Sequence, residues 1–284
     1  TLKTRPPCVA DAFYAGTKPA LTRQIAECFT HKFGPGQIPK VDLKGQRKIV
    51  GIVSPHAGYM YSGPVAANGY GKMALDGVPE VVMILGPNHT GYGSGVSILT
   101  EGKWETPLGS LEIDNHLAKQ VQRSSEIMDV DEVAHRYEHS IEVQLPFLQF
   151  LYNTSVKFVP ICMMMQDLQT SREIATTIID QIKEKNCLII ASSDFTHYKP
   201  HDEAVRSDQT AIDAIMNLDD SKLNELGDSN KVTMCGYGPI TVLLAAARKM
   251  SNVKTEFLTY KTSGDISGDK TSVVGYGSII ITRQ

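Results

Sequence analysis

The sequence predicts an α/β fold: one domain over residues 1–284, with a mainly parallel central sheet covered by helices. Four short apolar runs, at 48–53, 81–85, 156–161 and 187–191, show little alternation, as strands buried on both faces do. Segments with helical periodicity lie between them, and strand alternating with helix makes a parallel sheet. With 284 residues and 42% hydrophobic content, the chain can bury one large core. No repeat, low-complexity tract or long linker divides it.

Taken in order, an N-terminal helical segment ends at the Gly/Pro break of residues 34–39, ahead of the first strand. Residues 140–152 read as a helix through Val143, Phe147, Leu148 and Leu151, with Pro146 expected to kink it or shift its start. After the 156–161 strand, residues 170–184 form the clearest helix. Thr170 and Glu173 have capping-box spacing, and Ile174, Ile178 and Ile182 share a face. The strand at 187–191 leads to helices at 201–217 and 239–250, Pro239 suiting the first turn of the second. Two β segments, 255–262 and 272–282, close the chain as a long hairpin around the polar loop 263–269.

Charge excludes some partners. The net charge is −3, the pI is about 6.2, and no lysine/arginine run stands out, so no footprint for nucleic acid or an anionic membrane is present. No apolar stretch approaches the roughly 20 residues that span a bilayer, and the opening Thr1-Leu2-Lys3-Thr4-Arg5-Pro6-Pro7 lacks a signal-peptide core. A soluble cytoplasmic protein with a small-molecule, peptide or protein partner is expected. The five cysteines form no CxxC pair, and their odd number argues against a disulfide framework. Cys162 and Cys187, in or beside strand-like runs, read as inert buried thiols. Cys235 differs, with Gly236 and Gly238 following it.

Four runs carry the chemistry: Ser54-Pro55-His56-Ala57-Gly58-Tyr59, Gly86-Pro87-Asn88-His89-Thr90-Gly91, Ser192-Ser193-Asp194-Phe195-Thr196-His197 and Met234-Cys235-Gly236-Tyr237-Gly238-Pro239. The first three follow strands, so their His and Asp residues belong at strand ends, where open α/β sheets bind ligands. His56 and His89 each come just after a strand and a proline, with a glycine two residues on, which presents the imidazoles at the loops rather than in the core. Neutral imidazole is a common transition-metal ligand, and a Cys235 thiolate would complete a three-ligand site with an open position. A helix N-terminus beside Cys235 favours thiolate, so it reads equally as a nucleophile. Asp194 and His197 are spaced for the carboxylate to orient the imidazole as a general acid or base; the alternative is that Asp194 caps a turn. Glu138-His139-Ser140 reads first as the start of the next helix and second as pocket lining. Neither Gly91-Tyr92-Gly93-Ser94-Gly95 nor Gly236-Tyr237-Gly238 fits a phosphate loop or a dinucleotide fingerprint.

Pro-His-Ala-Gly-Tyr at 55–59, Gly-Pro-Asn-His at 86–89, Thr-Pro-Leu-Gly at 106–109, Glu-His-Ser-Ile-Glu at 138–142, Ser-Ser-Asp-Phe-Thr-His at 192–197 and Cys-Gly at 235–236 together resemble the Memo family, named for mediator of ErbB2-driven cell motility. The resemblance covers almost the whole chain. It implies a fold similar to class III extradiol dioxygenases, which hold iron(II) with two His and a carboxylate and use another His as acid–base. On this resemblance His56 and His89 are metal ligands, Cys235 stands where those enzymes have a carboxylate, and His197, with Asp194, is the acid–base group. Tyr59, Asn88 and His139 become candidate ligand-binding residues. A thiolate in the carboxylate's place moves the chemistry away from ring cleavage. The expectation is a metal-binding protein with redox or oxygen-linked activity, using copper or iron, with zinc the further candidate. The alternatives are a non-catalytic pocket for peptide or small anionic ligands of phosphotyrosine type, and a zinc-dependent hydrolase.

Overall fold

The computed structural model describes residues 3–183 and 185–284. Its elements begin with β1 (Thr4–Arg5), α1 (Lys18–Thr30), β2 (Ile49–Ser54), α2 (Tyr59–Asp76), β3 (Val81–Pro87) and β4 (Val96–Ile98). Next come β5 (Lys103–Thr106), β6 (Gly109–Glu112), α3 (Asn115–Arg123), β7 (Asp129–Val130), α4 (Val133–Arg136), α5 (Leu145–Tyr152), β8 (Lys157–Met163) and α6 (Leu168–Ile182). The remainder is β9 (Cys187–Ser192), β10 (His197–Lys199), α7 (His201–Met216), α8 (Asp220–Asp228), α9 (Tyr237–Arg248), β11 (Val253–Thr262), α10 (Ser263–Ser267) and β12 (Val273–Arg283).

The main sheet runs β10-β12-β2-β9-β3-β8-β4-β7, with β11 added to β12. Its centre, β2-β9-β3-β8, is wholly parallel; β12 and β4 flank it antiparallel. The four central strands are the four apolar runs of the sequence. They are buried at nearly every position, which is why their residues do not alternate. Because they are parallel and in register, Ser54 pairing with Ser192 and Leu85 with Ala191, their carboxyl ends line up. The loops carrying His56, His89 and Asp194 therefore leave one edge side by side. A single buried cluster runs from Tyr14 to Ile281, and no described helix is long and apolar enough to cross a membrane.

Several boundaries differ from expectation. Asp167, not Thr170, caps α6: its Oδ1 accepts the Thr170 N–H at 2.9 Å, while the Thr170 hydroxyl donates to Oδ2 at 2.7 Å. The expected end of that helix at Glu184 lies outside the described residues, as do Thr1 and Leu2. The helix expected from 140 starts at Leu145 behind a 3₁₀ turn over Glu142–Gln144, with Pro146 in its first turn, so the proline shifts the start. The loop of 263–269 contains the short α10. Helix α2 is not among the helices named from the sequence, and Gly63, Pro64, Gly69 and Gly71 interrupt its pattern. Its glycines serve close packing: a Cβ at Gly63 would meet Cys28 Sγ at 2.5 Å, and one at Gly69 would meet Ser278 Oγ at 3.1 Å.

Candidate metal centre

Three imidazoles converge at the carboxyl edge. His56 follows β2, His89 follows β3 through a turn that Gly91 completes at φ 70°, and His139 lies in the segment between α4 and α5. One ring nitrogen from each lies within 4.8 Å of the other two. The His89 and His139 rings stack at 4.6 Å, and His56 stands edge-on to both at 5.1 and 5.4 Å.

The backing of His89 fixes what it presents. Its Nδ1 is 2.9 Å from Glu138 Oε1, and Glu138 also accepts the backbone N–H groups of His89 and Ser140. Burial alone would push the Glu138 carboxyl up, but the hydrogen bond from His89 and, in the acid range where the carboxyl titrates, the pull of the His89 and His139 rings hold it down at about 2. An ionised carboxylate only accepts. Nδ1–H therefore donates to it, which leaves Nε2 as the ring nitrogen available to another partner, the arrangement that carboxylate-backed metal-binding histidines share. His139, with Nδ1 3.5 Å from the same Glu138 oxygen, is lowered to about 4, chiefly by burial. His56 is held well below its ordinary value by burial and by the surrounding histidines. Both rings are neutral at pH 7, as metal ligands must be.

His56 is 1% exposed, so for this residue the expectation of an imidazole presented outside the core is corrected, whereas the His89 side chain stays 32% exposed, as expected. Gly58 ends the loop, but the converging strand ends close over the His56 ring. Its Nε2 lies 3.2 Å from Cys235 Sγ, which comes from the segment before α9. Cys235 thus sits against His56, and the tightest three-donor set is completed by His139 instead. The expected thiolate is also corrected for the protein without metal. Burial, reinforced by the neighbouring Asp194 charge, pushes the Cys235 thiol well up, outweighing any stabilisation from the helix terminus.

Asp194 does not take the role expected of it toward His197. Its Oδ1 accepts the His56 backbone N–H at 2.8 Å, and burial raises its carboxyl against the opposing pull of that bond and the nearby His197 and His89. His197 is oriented by Thr233: its Nδ1 is 2.9 Å from the Thr233 carbonyl oxygen, which only accepts, so Nδ1 carries the proton and Nε2 is free. A register shift in β10 and left-handed backbone at Tyr198, φ 61°, accompany this placement.

Tyr59 and Asn88 both commit side-chain groups to internal hydrogen bonds. Tyr59 is 2% exposed and gives its hydroxyl to the Val143 carbonyl at 2.6 Å. Asn88 organises the His89 turn, its Oδ1 accepting from the Thr90 and Gly91 N–H groups. Glu138 is the residue that sequence reasoning undervalued. It looked like a helix start, and the available signal was only that it adjoins a histidine within a motif.

Fold and cluster together define an α/β protein with a histidine-rich candidate metal centre at the carboxyl edge of a parallel sheet. Within that class the chain belongs to the Memo family: the model for Memo-like protein matches residues 5–280. A MEMO1 family protein of Methanopyrus kandleri is 48% identical over 98% of this chain and 99% of its own. Another, from Sulfurisphaera tokodaii, is 49% identical over 97% and 98%. Among solved structures, uncharacterized protein JW3007 from Escherichia coli K12 matches with a TM-score of 0.51 at 12% identity, covering 82% of this chain and 100% of that one. At that identity the likeness concerns the fold alone.

Proposed function

We propose that this Memo-family chain, working as one domain, binds a transition metal through His56, His89 and Cys235 and carries out metal-dependent redox or oxygen-linked chemistry. The observation that carries the reading is the meeting of His56 Nε2 and Cys235 Sγ at 3.2 Å beside the carboxylate-backed His89. The donors fit such an ion: two imidazoles with a soft sulfur suit copper, and the same imidazoles suit iron or zinc. The ion would supply one-electron chemistry or polarise an oxygen-bearing ligand. His139 is a neighbouring donor for an ion that does not take sulfur. His197, through its free Nε2, accepts and returns a proton, and Asp194 keeps the His56 loop in place. All five cysteines are unpaired, which suits a cytoplasmic location.

Elemental analysis of protein purified without added metal or chelator tests this. Copper or iron near one per chain is expected. Zinc would favour the hydrolase alternative, and a pocket that binds none of the three on titration would sink the proposal.

A second reading has its own support. Tyr92 at 64%, Tyr137 at 67% and Tyr198 at 79% exposure lie close in sequence to His89, His139 and His197, with Met164 and Met165 just after β8. Exposed aromatics and methionines close in sequence to the polar site suit a peptide or small anionic ligand of phosphotyrosine type. Isothermal titration with phenyl phosphate in the presence of chelator separates the readings, since only a metal-free recognition pocket retains affinity there.

A further inference from the structure

The nitrogen that His56 turns toward Cys235 is decided by groups that touch neither residue's reactive side. His56 Nδ1 lies 2.8 Å from Ser192 Oγ, which alone leaves open which of the two donates. The surrounding network removes the choice. The Pro55 carbonyl oxygen only accepts, and it lies 3.1 Å from the Gln144 amide, so the NH₂ end of that amide must face it. The same nitrogen is 2.8 Å from Ser192 Oγ, while the opposite end, Oε1, receives the Tyr70 hydroxyl at 2.6 Å. Ser192 thus accepts from Gln144. Its own proton goes to the Ser140 carbonyl oxygen at 2.7 Å, which again only accepts. One lone pair remains on Ser192 Oγ, and His56 Nδ1–H fills it.

We infer that Ser192, locked by Gln144, is a positioning residue that holds His56 in its Nδ1–H tautomer and so directs the Nε2 lone pair at Cys235. All four groups of the network are buried, Ser192 and Ser140 fully and Tyr70 and Gln144 to within 1%, so water does not compete for these bonds. A misassigned hydroxyl would leave the buried Ser140 carbonyl facing an oxygen lone pair, an arrangement a buried acceptor does not tolerate. The consequence for metal binding rests on the reading of His56 as a ligand; the tautomer does not.

Nitrogen and carbon NMR of histidine-labelled, metal-free protein reads the tautomer directly. His56 is expected in the Nδ1–H form in the wild type and in mixed form in Ser192→Ala. Ser192→Thr, which returns the hydroxyl, is expected to restore it. Zinc titration should then show affinity about 10–100-fold weaker for Ser192→Ala and recovered for Ser192→Thr. A wild-type His56 protonated on Nε2 overturns the assignment, and that spectrum decides the matter even if the alanine variant does not fold. An Nδ1–H form unchanged by Ser192→Ala overturns the role of Ser192. A tautomer that shifts while zinc affinity stays the same would instead remove His56 as a ligand, leaving the network intact.

Discussion

The Asp194 carboxylate accepts the backbone N–H of His56 at 2.8 Å, joining the loop after β9 to the loop after β2 across 138 residues of chain. Those strands are neighbours in the parallel sheet, so the bond ties two adjacent strand ends at the point where the imidazoles gather. Asp194→Ala should therefore weaken metal binding although Asp194 is no ligand, and lower stability by about 1–3 kcal/mol through the orphaned N–H. Asp194→Asn keeps an accepting oxygen and should be mild in both. Calorimetric metal titration with a urea melt checks this; an alanine variant with wild-type affinity would detach Asp194 from the site.

The proposed ligand set makes a contrast between two neighbours of His56. Cys235→Ala is expected to reduce copper affinity far more than His139→Ala. His56→Ala and His89→Ala should abolish tight binding, the former with some loss of stability because a buried ring leaves a cavity. Titration of cuprous ion against the four variants decides the matter. If His139→Ala proves the more damaging of the pair, the three-histidine set holds the ion.

Glu138 supplies the charge behind His89. Glu138→Gln retains shape and can still accept from Nδ1–H, yet removes the negative charge that strengthens His89 as a donor. Metal affinity should fall by about 10–100-fold with the fold preserved. Equal affinities in mutant and wild type would show that His89 does not bind the ion.

His197 presents Nε2 while Thr233 holds Nδ1. His197→Ala should keep the metal and lose on the order of 10²–10⁴ in whatever turnover the metal-loaded protein shows, the usual contribution of a positioned acid–base group. Metal content and rate are measured on the same preparation. Parallel loss of both would make His197 a ligand instead.

Acid should destabilise the protein in two overlapping steps. His135 is buried and held down to about 3 by burial and then by the Arg5 charge. Its unfolded value is about 6.5, so the unfolded chain takes up the proton first and stability falls as pH drops from about 6.5. Glu142 is lowered overall: burial pushes it up, but the Arg5 charge and the Tyr14 and Cys8 hydrogen bonds outweigh that. A depressed carboxyl stabilises above its unfolded value of about 4.3, and this contribution is lost as pH falls through the lower folded value. Urea midpoints from pH 7 to 3 should decline across both windows. Glu142→Gln, which leaves Arg5 buried without its partner, should cost about 3–5 kcal/mol at pH 7 and flatten the lower window. An undiminished slope below pH 4.5 in that variant would assign the acid loss elsewhere.

What the sequence determined by itself was the sheet and the company kept at its edge. Unbroken apolar runs can only be satisfied by burial on both faces, so four central strands, and hence four strand ends carrying His56, His89, Asp194 and their neighbours, followed from local composition. Motif order along the chain was enough to place it in its family. Only the tertiary structure decided the roles. Glu138 became the partner of His89, Asp194 a tie to the His56 backbone rather than to His197, and Tyr59 a core residue, because hydrogen-bond partners are chosen by proximity between segments far apart in sequence. The thiol state of Cys235 was decided the same way. A helix terminus is a local feature that can be read in sequence, whereas the burial and the Asp194 charge that overrule it exist only once β9 and the segment before α9 have packed together.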